Sequence, residues 1–338
     1  MKLGLLGVAH VHADAYVPAL RRLAAEVVGA SDHDAVRGRR WSATHDVPWF
    51  GSRDALLAVV DGVIVCSETA RHRGDVEAAA AAGVAVLCEK PLATSEEDAD
   101  AIVAACDVAG VPLMTAFPVR YSPPVRQVAD LVTSGDLGQV WAAQGVNQGE
   151  LPARHRAWFV DRREAGGGAL MDHVVHLADL LRWMLGQDPV EVYAATNRIL
   201  HGQRVPVETG GLVVLTYADG TFASIDCSWS RPDDYPTWGG LALELVAERG
   251  VVAVDAFSQH LVVHGGPYGP LGWLGWGTDP DQAMIADFLA VVRDRRAPGV
   301  TGEDGRVATR IALAAARSAA SGQPVALELN AARPGRSG

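Results

Sequence analysis

Apolar positions in the first 120 residues come as short unbroken runs rather than in alternation. Lys2 to Leu6, Glu26 to Ser31, Gly62 to Cys66, Val84 to Cys88 and Val111 to Ala116 are such runs, which predicts strands buried on both faces. Between them the period changes. After Gly7-Val-Ala-His-Val-His12, residues Ala13, Tyr16, Val17, Leu20 and Leu23 recur at helical spacing. Thr94-Ser-Glu-Glu97 reads as a capping box that opens a helix over about Ser95 to Ala109, with Ala99, Ile102, Val103 and Cys106 on one face. Strands separated by helices predict a doubly wound parallel sheet, because each crossover is right-handed. Beyond Pro123-Pro124 the pattern turns to a helix near Val125 to Thr133. Alternating segments follow, such as Leu212 to Tyr217 and Thr221 to Trp229, joined at Ala218-Asp-Gly220. They predict a mostly antiparallel sheet in a second domain.

In a doubly wound sheet, ligands bind at the carboxyl ends of the strands. Gly7, Asp32, Ser67 and Lys90 all fall there, so four segments converge on one crevice. The dinucleotide fingerprint needs glycine for the turn, for approach to pyrophosphate and for helix packing; its three positions here are Gly7, Ala9 and His12, with His10 and Val11 between. Its placement after a strand and before a helix supports the assignment. Asp32, at the end of the second run, is expected to accept hydrogen bonds from both ribose hydroxyls and to repel a 2′-phosphate. That favours NAD, while the nearby Arg37, Arg39 and Arg40 keep NADP possible.

Composition narrows the partners. The 338-residue chain is 49% hydrophobic, with a formal net charge of -11, so two cores can be filled and no basic surface for nucleic acid is expected. No run reaches a membrane span, and the first strand starts without a leader pattern, so we expect a cytoplasmic enzyme. Cys66, Cys88, Cys106 and Cys227 are scattered and read as small buried hydrophobes.

Only two of the 29 basic residues are lysines, and one is Lys90 in Glu89-Lys-Pro91. Arginine cannot give up a proton near neutral pH, whereas lysine can, so Lys90 is a candidate for more than charge. In the second half, Gly166-Gly-Gly168 opens a helix that carries Asp172, His173 and His176 and stops at Gly186. Asp172 and His176, four apart, share a face, and a carboxylate beside an imidazole tunes it as a base.

Through Glu89-Lys-Pro91, through Gly166-Gly-Gly168 with Asp172 and His176, and through Gly302-Glu-Asp-Gly305, the chain resembles the glucose-fructose oxidoreductase, inositol dehydrogenase and MocA family of nicotinamide-dependent oxidoreductases. The likeness runs from residue 2 to about 329. It implies a Rossmann dinucleotide-binding domain at 1–120, a substrate-binding and oligomerisation domain with an open sheet at 121–330, and a flexible tail at 331–338. It implies Lys90, Asp172 and His176 as the catalytic group, Ser67, Glu68, Thr69, His72 and Glu89 on the cofactor side, and Arg120 in the cleft shared by cofactor and substrate. Ser67-Glu-Thr69 and Val174 depart from the family's usual residues, which leaves the cofactor pose and the substrate open.

A sugar, inositol or related polyol is the implied substrate. Trp158, Arg163, His173, Tyr235 and Trp238 are candidate lining, because sugars stack on aromatic faces and bond to polar tips. A homodimer or homotetramer is expected from the open sheet. Three alternatives remain. His10-Val-His12 after the first strand has the placement of a metal-binding pair in hydrolase barrels, although the strand and helix alternation stops near residue 120 and we expect no metal. A non-catalytic sugar sensor and a redox-neutral reaction such as glycoside cleavage are the others.

Overall fold

The computed structural model describes residues 1–265 and 271–328; the expected tail at 331–338 lies outside the described residues. In chain order the elements begin β1 (Lys2–Leu6), α1 (His12–Arg22), β2 (Glu26–Ser31), α2 (Ala35–His45), α3 (Arg53–Leu57), β3 (Gly62–Val65), α4 (His72–Ala81), β4 (Ala85–Cys88), α5 (Glu96–Ala109) and β5 (Leu113–Thr115). They continue as α6 (Pro123–Thr133), β6 (Val140–Glu150), α7 (Arg162–Ala165), α8 (Val175–Leu185), β7 (Pro189–Asn197), β8 (Gly210–Tyr217), β9 (Phe222–Arg231), β10 (Gly239–Ala247) and β11 (Gly250–Asp255). The last are β12 (His260–Val263), β13 (Gly272–Gly275), α9 (Pro280–Asp294), α10 (Gly302–Ser321) and β14 (Val325–Ala326).

The chain forms two compact units. The first comprises 1–118, 153–166 and 280–309; the second comprises 119–152, 167–279 and the rest. In the first unit the strands order β2-β1-β3-β4-β5, all parallel, as the unbroken apolar runs require. Leu3, Leu5, Val63, Ile64, Val86 and Leu87 are fully buried. Each such aliphatic side chain contributes about 1.5–3 kcal/mol by leaving water. Helix α5 starts one residue later than the capping box suggests. Its cap is Ser95, whose hydroxyl accepts from the Asp98 amide at 3.1 Å, and Thr94 instead packs against Gly166.

The second unit has a seven-stranded sheet in the order β11-β10-β6-β9-β8-β7-β14. Every pair is antiparallel except β6 with β9, a long-range parallel pairing. One face of the sheet packs Ala143, Ile225, Val213 and Leu215 inward against the helix that ends in α8. The other face carries Phe222, Leu212, Tyr193, Val246 and Val251, all exposed. Among the described residues no helix is long and apolar enough to cross a membrane.

Candidate functional site

In the first unit the loops after β1, β2, β3 and β4 meet at the carboxyl ends of the strands. Gly7 has φ +72°, and a Cβ there would lie 2.4 Å from Ser67 Cα, so glycine alone lets these two loops touch. The Val8 amide donates to Asp32 Oδ2 at 2.8 Å and the His10 amide to the Cys66 carbonyl at 2.9 Å, which fixes the loop. This cradle fits the phosphate end of a dinucleotide. Ser67 Oγ is held by Asp75 at 2.7 Å, whereas the buried Thr69 hydroxyl has no partner among the described residues and is available to an incoming polar group.

Ala9, in the second glycine position, has its carbonyl capped by Trp158 Nε1 at 3.0 Å and Arg156 Nε at 3.1 Å. Arg156 continues to Asp14 at 2.9 Å. Trp158, expected against substrate, is therefore tied to the dinucleotide loop of its own unit, stacked on Phe159 with ring centroids 4.1 Å apart. Arg163 is exposed on α7, where Asp161 caps the helix by accepting its amide.

His12 fills the third glycine position, and its partner explains it. Glu89 is fully buried, and its Oε1 lies 2.9 Å from His12 Nδ1, accepts from Tyr16 Oη at 2.5 Å and stands 3.8 Å from His10 Nδ1. Its Oε2 takes the Lys90 amide at 3.2 Å. Burial alone would raise the Glu89 pKa, but His10 and His12, with hydrogen bonds from His12 and Tyr16, hold it well below the usual carboxylate range. For His12, burial pulls downward and Glu89 outweighs it, so its pKa is raised. The donor atoms of His10, His12 and Glu89 lie within 4.8 Å of one another, a spacing that also suits a metal ion. The His12 amide also donates to His10 Nδ1 at 3.2 Å. Lys90, next along, is 5% exposed.

His72, expected on the cofactor side, is a buried staple. Its Nδ1 is 3.1 Å from the Pro91 carbonyl and 3.2 Å from that of Leu92, and its Nε2 is 3.2 Å from the Ser67 carbonyl. Burial pushes its pKa down. It thus ties the loop after β3 to the loop that carries Lys90. Asp32 already accepts four hydrogen bonds, from Val8 and Asp34 amides and from Arg37 Nε and Nη2, the last at 2.7 Å.

In the second unit Gly167 and Gly168 open the catalytic candidate helix. A Cβ on Gly168 would sit 2.1 Å from the Glu208 carbonyl, and its amide donates to Glu208 Oε1 at 2.7 Å. The start of the helix, Leu170–Val174, is a π-turn rather than the α-turn that four-residue spacing presumes. Asp172 Oδ2 accepts from Trp229 Nε1 at 3.0 Å and lies 3.5 Å from His173 Nε2. The Asn147 side chain holds the His173 carbonyl at 3.2 Å. Asp172 and His173 are buried and His176 is half-buried. Arg120 is 3% exposed, clamps Asp179 through Nε at 2.7 Å and Nη2 at 2.5 Å, and lies over Trp183. Tyr235 packs edge-on against Trp273 beneath Arg231, while the Trp238 carbonyl takes the Glu150 amide beside Gly149 and His173. Tyr16, Arg37, Arg156 and Trp229 were not singled out as site residues from the sequence. Tyr16 read there as an apolar helix position, Trp229 as the end of a strand, and Arg37 as a nearby charge.

Comparison with known proteins matches residues 1–117 to the model of an oxidoreductase family with an NAD-binding Rossmann fold, and residues 125–253 to the GFO/IDH/MocA C-terminal domain. The chain is 30% identical to a 1,5-anhydro-D-fructose reductase of Ensifer adhaerens, over 96% of this chain and 98% of the relative. It is 32% identical to D-xylose 1-dehydrogenase (NADP(+)) 2 of Haloferax volcanii, over 69% and 71%. Among solved structures, GenD2 from gentamicin A biosynthesis in complex with NAD superposes with a TM-score of 0.85 at 25% identity, covering 97% of each chain.

Proposed function

Because the chain belongs to the GFO/IDH/MocA oxidoreductase family, we propose that it moves a hydride between NAD(P) and a secondary alcohol or ketone of a sugar, inositol or related polyol. The first unit is read as the dinucleotide-binding part and the second as the substrate-binding and oligomerisation part. The observation that carries the reading is the convergence of Gly7, Asp32, Ser67, Thr69 and Lys90 at the carboxyl ends of adjacent parallel strands, where this architecture holds ligands. The two curated relatives bear sugar names, which supports the substrate class and nothing finer.

Bound nicotinamide supplies the hydride acceptor. The chain's own residues manage the proton and the charge on oxygen. His176 takes the hydroxyl proton. Asp172, fixed by Trp229, stands in the helical turn just before it. Lys90 donates to the oxygen as alkoxide-like charge develops and can supply a proton in the reverse direction. A panel of sugars and polyols with NAD and NADP, followed by reduced-nicotinamide absorbance, tests this. Turnover that disappears in His176→Ala supports it; product formed with no net change in reduced cofactor would replace it with a redox-neutral reaction.

A further inference from the structure

The Arg37 guanidinium is clamped between two carboxylates. Its Nε and Nη2 hold Asp32 at 3.0 and 2.7 Å, and its Nη1 and Nη2 reach Glu68 at 2.6 and 3.4 Å. Both carboxylates are buried, with the Asp32 side chain fully covered and that of Glu68 7% exposed. His33 stands 3.5 Å from Asp32 and 3.7 Å from Glu68, and Arg71 lies 3.6 Å from Glu68. Asp32, His33, Ser67 and Arg71 line a cleft of about 550 Å³ that also contains Trp49 and Arg53.

Asp32 discriminates by charge here, since its oxygens are occupied. A 2′-phosphate brings a charge of roughly -1.5 to -2 and needs a guanidinium to meet it. Arg37 is the arginine closest to Asp32, and it can turn to a phosphate only by abandoning two buried anions. Removing the cation from a buried pair is far costlier than the pair's own net worth. We infer that Glu68 is a specificity-determining residue: together with Asp32 it locks Arg37 in place, so that NAD(H) is preferred over NADP(H). This rests on the dinucleotide-binding reading of the first unit. It assigns a role to an acid at a position where the family resemblance gives no acid.

Titration calorimetry of the purified protein with NAD and NADP tests the lock without using activity. The wild type should favour NAD. In Glu68→Gln, Arg37 keeps one anchor and gains a free edge, and the ratio Kd(NADP)/Kd(NAD) should fall by about tenfold, the effect of losing one nearby like charge. Glu68→Asp keeps the charge and should retain most of the discrimination, which separates charge from mere disturbance of the loop. Adding Arg37→Ala to Glu68→Gln should abolish the gain in NADP affinity. An unchanged ratio in Glu68→Gln, or a wild type that prefers NADP, overturns the lock alone. A wild type that binds neither dinucleotide overturns the cofactor reading and this inference with it.

Discussion

Lys90 is the residue on which the proposed chemistry turns. Lys90→Arg keeps the charge but presents a larger, planar group that cannot act as an acid. Steady-state kinetics on a substrate from the polyol panel should show kcat/KM lower by about two to four orders of magnitude, with NAD affinity changed much less. On the proposed mechanism His176→Ala should lose a comparable amount, and the double variant less than the product of the two. Near-normal turnover by Lys90→Arg would reduce the lysine to a strand-end cation. Behind it, the Glu89 and His12 pair sets a stability window. A depressed carboxylate pKa stabilises the fold above about pH 4.3, its unfolded value, and is lost as pH falls from there; a raised histidine pKa stabilises below about pH 6.5 and is lost as pH rises from there. Glu89→Gln should therefore cost about 2 kcal/mol between those two pH values, with the Tm gap to wild type narrowing on either side. A gap that does not vary with pH would assign the loss to packing. Glu89-Lys-Pro91 was legible as a motif. Its partner His12, 77 positions away, was visible only as an imperfect glycine loop, because nothing local in a sequence reports which distant loop will touch it.

At the scale of elements, β1 and β2 have the bounds that their apolar runs predict, Lys2–Leu6 and Glu26–Ser31, since a strand buried on both faces writes itself as an uninterrupted run. The π-turn at Leu170–Val174 has no such signature. It comes just after Gly167 and Gly168, which approach the 207–208 segment, a tertiary contact. Two glycine substitutions separate tertiary demand from propensity. Gly168→Ala meets backbone at 2.1 Å and should destabilise by about 2–4 kcal/mol while displacing Asp172 and lowering turnover. Gly74→Ala, in α4 with nothing within 4 Å of the added carbon, should be neutral or stabilise by up to about 1 kcal/mol. Chemical denaturation of both variants provides the comparison, and equal effects would refute the close-approach account. Arg120 illustrates the opposite limit: the family resemblance assigns it to the cleft, and its partner Asp179, 59 positions on, leaves no trace beside it in the sequence.

For the whole molecule, the outward face of the large sheet bears on assembly. Phe222, Leu212, Tyr193, Val246 and Val251 are 39–61% exposed, interspersed with Gln144, Ser224 and Glu244. Mixed apolar and polar character of this kind suits a second copy of the chain, so light scattering at micromolar concentration should report a dimer or tetramer. Leu212→Arg with Phe222→Arg should shift it towards monomer with unchanged circular dichroism. A wild-type monomer would rule the interface out. The antiparallel character and the open face were legible from alternation in Leu212 to Tyr217. The parallel pairing of β6 with β9 was not, because register between strands so far apart leaves no local trace.

The segment 153–166 that caps Ala9 through Trp158 and Arg156, and helix α9, which packs on α1, both belong to the first unit although they follow it by many residues. The cofactor half is consequently not a cassette. A fragment cut near residue 120 would leave the His10 ring without its aromatic cover and one side of α1 bare, so swapping such pieces between relatives must carry three separate stretches of chain together.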